Sequence, residues 1–145
     1  MYRDVFNRVK IEQLLAPVVC TTTQTSSACG TAGYEGAMFS VLFGTSADTL
    51  CAACAWDCKL QESDASGSGY ADVAAADVIG AASDAFGSVN DASEDDAIYS
   101  LGYKGTKAYV KVVVTVTGTH ASGTPIAIVA NKFKSVNPPT NVVTP

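Results

Sequence analysis

Charge is scarce in this chain. Only 16% of its 145 residues are Asp, Glu, Lys or Arg, and the 9 basic side chains are outnumbered by 14 acidic ones, for a net charge of -5. Nucleic-acid binding needs a basic stripe to neutralise phosphates, and none is present. Long apolar runs are also missing. No window reaches the roughly 18 to 20 apolar residues that cross a bilayer, and "MYRDVFNRVKIEQ" places charges where a signal peptide needs an uninterrupted apolar core. A membrane is therefore not expected as a partner, and synthesis in a cytoplasm is. Neither G-x-x-x-x-G-K-[ST] nor G-x-G-x-x-G occurs, so nucleotide cofactors have no support. There is one histidine, His120, set in "TGTHASGTP", and no G-x-S-x-G elbow; His120 reads as a surface turn residue rather than a member of a triad. No cofactor is expected.

Apolar residues, in contrast, make up 48% of the chain, too many for a disordered segment. The length suits one domain that can bury a core without metals or disulfides. Extended structure dominates the pattern. "AMFSVLFG" is a strand closed by Gly44, and "AWDCKLQES" alternates Trp56, Cys58 and Leu60 against Asp57, Lys59 and Gln61, a strand with one dry face. In "AYVKVVVTVTGT", Val110, Val112, Val114 and Val116 share one side of a long central strand. "AIYSLGYKGTK" precedes it, so 98–117 is expected to be a β-hairpin, and "TPIAIVANKF" adds a further strand. "CTTTQTSSACGTAG" reads as an edge strand followed by a turn, "YADVAAADVIGAA" as short extended pieces, and 83–96 as a long acidic surface loop. Tyr2, Val5, Phe6 and Val9 fall at helical spacing, which predicts a short amphipathic helix or a docked extended arm ended by Pro17. The expected organisation is mainly β: an N-terminal arm or helix over 1–17, a β-sandwich or jelly-roll-like domain over 18–134, and an irregular proline-rich tail over 135–145.

The densest chemistry lies in "LCAACAWDCKLQESD". Cys20, Cys29, Cys51, Cys54 and Cys58 are odd in number, so they cannot all pair within one chain. Free thiols and one or more disulfides are the leading readings. A bond from Cys29 to Cys54 or Cys58 would close a loop of about 25 to 30 residues and contribute about 3 to 4 kcal/mol. Zinc ranks behind them, because the chain has one C-x-x-C and not two, and a thioredoxin-like role lacks its βαβ setting. Glu62, Asp64 and Asp57 resemble an acid–base set only superficially, since a turn explains the first two. Asp91, Glu94, Asp95 and Asp96 lack the order of an EF-hand loop and read as a solvated face.

"LQESD", "YADVAAADVIG" after a small-residue loop, "YSLGYKGTKAYVKVVVTVTGT" and "TPIAIVANK" together resemble small structural proteins from the head modules of tailed bacteriophages, over 33–132. The cysteines of "CAACAWDC" depart from that pattern. The resemblance implies a non-enzymatic virion protein on the capsid surface, a decoration or cement protein that binds the major capsid protein and associates with itself. It carries no catalytic residues. Tyr2, Val5, Phe6 and Val9 at one end, and Pro138, Pro139, Val142 and Val143 at the other, are the expected capsid contacts. A head–tail connector, a tail or spike component, and a sugar-binding β-sandwich using Tyr70, Tyr99, Tyr103 and Trp56 are the alternatives.

Overall fold

The computed structural model describes residues 6–134. Eleven strands follow in order: β1 (Val9–Cys20), β2 (Gln24–Thr25), β3 (Cys29–Gly30), β4 (Gly36–Phe43), β5 (Ala55–Ser63), β6 (Ala71–Asp72), β7 (Val78–Ile79), β8 (Ala85–Val89), β9 (Ile98–Tyr103), β10 (Tyr109–Thr117) and β11 (Thr124–Phe133). One turn of 3-10 helix, Ala75–Asp77, precedes β7. Two antiparallel sheets result. The first has the order β1-β11-β4-β9-β7, and the second runs β2-β10-β5-β6, with β3 also on β10 and β8 also on β5. The chain steps from one sheet to the other at every connection except those from β2 to β3 and from β5 to β6. Two facing antiparallel sheets make a β-sandwich, as the strand-and-turn spacing predicts.

The core lies between the sheets and follows from the two-residue period of a strand. Phe39 and Val41 of β4, Ile126 and Ile128 of β11, Trp56, Cys58 and Leu60 of β5, and Val110, Val112 and Val114 of β10 are all buried. β5 and β10 pair through nine consecutive positions, from Ala55 opposite Thr117 to Ser63 opposite Tyr109, which places the valines of one strand beside the dry face of the other. Trp56 is fully enclosed, and its indole N–H donates to Thr124 Oγ1 at 3.0 Å across the sandwich. At the far end Lys132, although on the inner face of β11, pairs with Glu12 of β1 at 2.7 Å and donates to the carbonyl of Gly30 in β3 at 3.1 Å. That buried ammonium ties both sheets together.

Of the two readings of the N-terminal segment, a helix or a docked extended arm, the described part takes the second: β1 runs through Pro17 and pairs with β11 from Val9 to Cys20. The proline is accommodated because β1 is an edge strand whose register slips between Gln13 and Val18. Two other expectations give way. The expected hairpin over 98–117 does not form, since β9 pairs with β4 and β7 while β10 pairs with β5 in the other sheet. Two apolar runs around a glycine-containing turn fit a crossing between sheets as well as a hairpin. The expected loop over 83–96 contains β8, which pairs with Trp56 through Lys59. Its polar residues hide one buried anchor, Val89, and Gly87 lies against the ring of Tyr99 where a side chain would collide.

Trp56 makes the clearest test of this packing. Trp56→Ala is expected to lower unfolding free energy by about 3 to 5 kcal/mol. Trp56→Phe, which keeps most of the volume but leaves Thr124 without its indole donor, should cost about 1 to 3 kcal/mol. Equilibrium denaturation of the two variants checks both values.

Candidate functional site

Two regions stand out. One lies at the end of the sandwich where the β4–β5 and β10–β11 connections meet. Cys51 and Cys54 face each other across a two-residue turn, each donating its amide to the other's carbonyl, at 3.0 and 2.8 Å. Gly118, at φ 77°, lies against the carbonyl of Ala53 and leaves no room for a side chain, so the turn rests directly on the loop that carries His120. His120 is buried, not on the surface as its turn sequence suggests, and its ring lies 4.5 Å from that of Trp56. Cys54 Sγ is 3.5 Å from His120 Nε2 and 3.6 Å from the carbonyl of Thr119. On the other side of the ring, Nδ1 is 3.7 Å from Asp48 Oδ2 and has no hydrogen-bond partner. Asp48 accepts the amides of Ser122 at 2.9 Å and Gly123 at 2.6 Å. Those bonds, first that from Ser122, hold its carboxyl below the usual range.

A thiol, an imidazole and a carboxylate in this order have the roles of a nucleophile, base and orienting group. The Cys54–His120 contact at 3.5 Å is a hydrogen bond for sulfur, whereas the 3.7 Å from Nδ1 to Asp48 is too long for one, and partial burial, with Cys51 and Asp48 nearby, pushes the Cys54 thiol up, not down. None of three clefts elsewhere, of about 310, 370 and 280 Å³, includes Cys54, His120 or Asp48. Sequence reasoning missed this cluster because Cys54 and His120 stand 66 positions apart and no short motif links them.

The five cysteines are all free thiols, so the considered bond from Cys29 to Cys54 or Cys58 is not present. Cys20, Cys29 and Cys58 are buried, Cys54 is half-buried and Cys51 is exposed. Among the described residues no group of three or more His, Cys, Asp or Glu is arranged to hold a metal. The carboxylates weighed as an acid–base set are dispersed. Glu62 accepts from the Tyr103 hydroxyl at 2.6 Å, Asp64 pairs with Lys107 at 2.6 Å, and Asp57 points outward. In the acidic loop Asp91 accepts from Ser93, Glu94 from the Asn90 amide and Asp95 from the Ser46 amide, so these side chains close the loop. The aromatics weighed as a sugar platform are not together either. Trp56 and Tyr103 are buried, Tyr99 packs edge-on against Phe43, and Lys111 covers the ring of Tyr70 at 4.2 Å.

The second region is the outer face of the five-stranded sheet. Registers place Ile11, Asn131, Met38, Gly102 and Ile79 in one cross-sheet row. Gln13, Val129, Ser40 and Ser100 form the next, and Ala127, Leu42 and Ile98 a third. No charged side chain occurs in these rows. Ile11, Ile79 and Ile98 are 65%, 57% and 66% exposed, and two of the clefts, floored by Met38 and Gly102 and by Leu42 and Ala127, open on this face. The other sheet shows water Lys59 paired with Asp72 at 2.9 Å, Gln61, Asp57 and Lys111. An antiparallel sheet normally presents such a polar outer face, so the bare one is the exception. Of the expected capsid contacts, Phe6 is exposed and Val9 begins β1 next to this face. Tyr2, Val5, Pro138, Pro139, Val142 and Val143 lie outside the described residues.

No protein-family model matches the chain, and no curated protein matches it. Among solved structures it is similar to the Clostridium thermocellum N-terminal endo-1,4-beta-D-xylanase 10B, whose CBM22-1 and GH10 modules were solved with xylohexaose. That likeness has 10% identity, a TM-score of 0.45 and 97% of this chain covered. The chain spans 28% of the length of that xylanase chain. A second likeness, to the Macrobrachium rosenbergii nodavirus P-domain, has 10% identity and a TM-score of 0.32, and covers 89% of this chain and 94% of the other.

Burial pushes the thiols of Cys29 and Cys58 up to about 11 and about 12, from an ordinary value of 9.0. Above pH 9 the unfolded chain releases these protons while the folded chain keeps them. Their contribution is therefore intact below that pH and is lost as pH rises toward the folded values, by about 1.4 kcal/mol per pH unit for each thiol. Denaturant titrations of wild type and Cys58→Ala between pH 9.5 and 11 should differ in slope by one such increment, the wild type losing stability faster.

Proposed function

We propose that this chain is a non-enzymatic structural protein of a bacteriophage virion, a decoration or cement protein seated on the major capsid protein. The observation that carries the reading is the uncharged outer face of the five-stranded sheet, with Ile11, Ile79 and Ile98 exposed upon it. An outer sheet face with large apolar side chains exposed and no charged side chain in its three rows marks a place for another protein, and the two-sheet core behind it keeps that surface preformed. The sequence resemblance supports the capsid as that protein. Weak individual contacts suffice for such a role, because many copies act together on one particle. Self-association on the capsid follows from the same crowding. Assembly would start in the host cytoplasm and end with the protein on the virion surface.

The sugar-binding alternative loses support from the placement of its aromatics, since Trp56 and Tyr103 are buried and Lys111 covers Tyr70. A connector, tail or spike role uses the same kind of surface but a different address.

Placing a charge on the bare face separates docking from folding. Ile79→Asp and Ile98→Asp should each change stability by about 0.5 kcal/mol or less, because both side chains already meet water. Each should abolish sedimentation with purified capsids. Retained binding by both variants would sink the docking face. Quantitative mass spectrometry of virions should give a copy number in proportion to the major capsid protein; one matching a single vertex or the tail would instead assign the connector or tail role.

A further inference from the structure

We propose that Cys51 and Cys54 form a redox-active dithiol that closes reversibly to a disulfide by exchange with a small external disulfide, with His120 as the base that receives the Cys54 proton. The inference stands apart from the capsid reading and rests on the loop end of the sandwich alone. Residues facing each other in a hydrogen-bonded antiparallel pair have Cα atoms about 5.5 Å apart, inside the span of about 4.4 to 6.8 Å that a disulfide bridges. Cys51 and Cys54 are such a pair. Their environments differ in the way exchange chemistry uses. Cys51 is exposed and meets reagents from solution, whereas Cys54 is half-buried with its sulfur 3.5 Å from His120 Nε2.

His120 supplies an independent observation. Its side chain is completely buried, yet Nδ1 has no hydrogen-bond partner and stands 3.7 Å from the Asp48 carboxylate. Nε2 faces the Cys54 sulfur and Nδ1 faces the Asp48 carboxylate, so the ring lies between a thiol and a carboxylate in the order a base takes between its proton donor and its orienting group. The groups facing the ring are Cys54 and Asp48 on the loops and the indole of Trp56 on β5.

The steps balance as follows. The Cys51 thiolate attacks one sulfur of an external disulfide such as oxidised glutathione, forming a mixed disulfide and releasing one thiolate. Cys54 then passes its proton to His120 Nε2, and its sulfur attacks Cys51 Sγ. The Cys51–Cys54 bond forms, the mixed disulfide breaks, and the departing thiolate takes up a proton from His120. Two protein thiols are oxidised and one external disulfide is reduced to two thiols.

The experiment equilibrates the full chain with mixtures of reduced and oxidised glutathione, blocks remaining thiols with N-ethylmaleimide, and locates bonds by tandem mass spectrometry. The expected result is an internal Cys51–Cys54 bond, with Cys20, Cys29 and Cys58 still alkylated once the protein is denatured. Cys54→Ser should stop at a glutathione adduct on Cys51, and Cys51→Ser should form no internal bond. In rapid-quench experiments His120→Gln should accumulate the Cys51 adduct, with closure slowed on the order of a hundredfold. Absence of the Cys51–Cys54 bond at every glutathione ratio, or pairing with a different cysteine, would overturn the proposal whether or not the His120 variant folds. An unchanged closure rate in folded His120→Gln would overturn the part assigned to the imidazole.

Discussion

The pairing of β5 with β10 sets what the rest of the molecule can do. Nine residues of each strand stand opposite one another without a slip, and a shift of one position would turn Trp56, Cys58 and Leu60 to water and Asp57, Lys59 and Gln61 into the core. Because that exchange would bury charge and expose an indole, the register is held by the cost of the alternative. The ends follow from it. Ala55 opposite Thr117 brings the turn before β5 onto the loop after β10, and that is where Cys54 meets His120. At the other end, Ser63 opposite Tyr109 leaves Asp64 within reach of Lys107.

The second sheet is bound to this pair mainly through apolar contact, with a few polar links across the gap. The Trp56 indole reaches Thr124, which in turn donates to Ser46 at 2.9 Å. Lys132 reaches Gly30 and Glu12. Trp56–Thr124 and Lys132–Gly30 cross between the sheets, while Glu12 balances the Lys132 charge from the neighbouring strand of its own sheet, so each of these buried polar groups has a partner. The middle is left to Phe39, Val41, Ile128, Val112 and Leu60, all fully buried.

What the sequence disclosed divides along the same lines. Alternation identified β5 and β10, and apolar runs bounded by turn residues identified β4 and β11, and hence the sandwich, because both signals are local. Neither could assign strands to sheets. Ile98–Tyr103 and Tyr109–Thr117 look like hairpin partners, yet a crossing of the same length carries them to opposite sheets. At Val9–Cys20 the sequence left a helix and a docked extended arm both open and set the boundary at Pro17, a proline that the strand accommodates only because it lies at a sheet edge. His120 reads as a turn residue because it is one. Its burial comes from Trp56 and from a loop 66 positions away, which no local pattern contains.

The scarcity of charge acquires a location in this light. A sandwich of this size needs apolar residues only on its two inner faces, and its outer faces ordinarily carry the Lys, Glu and Asp that keep it in solution. Here one outer face does so, with Lys59, Asp72, Asp57 and Lys111. The other carries Ile11, Met38, Ile79, Leu42 and Ile98, with Ser40 and Ser100 bonded to each other at 2.7 Å instead of to charged neighbours. The two outer faces of one small domain therefore differ in polarity, and the difference comes from which residues alternate with the core positions of each sheet.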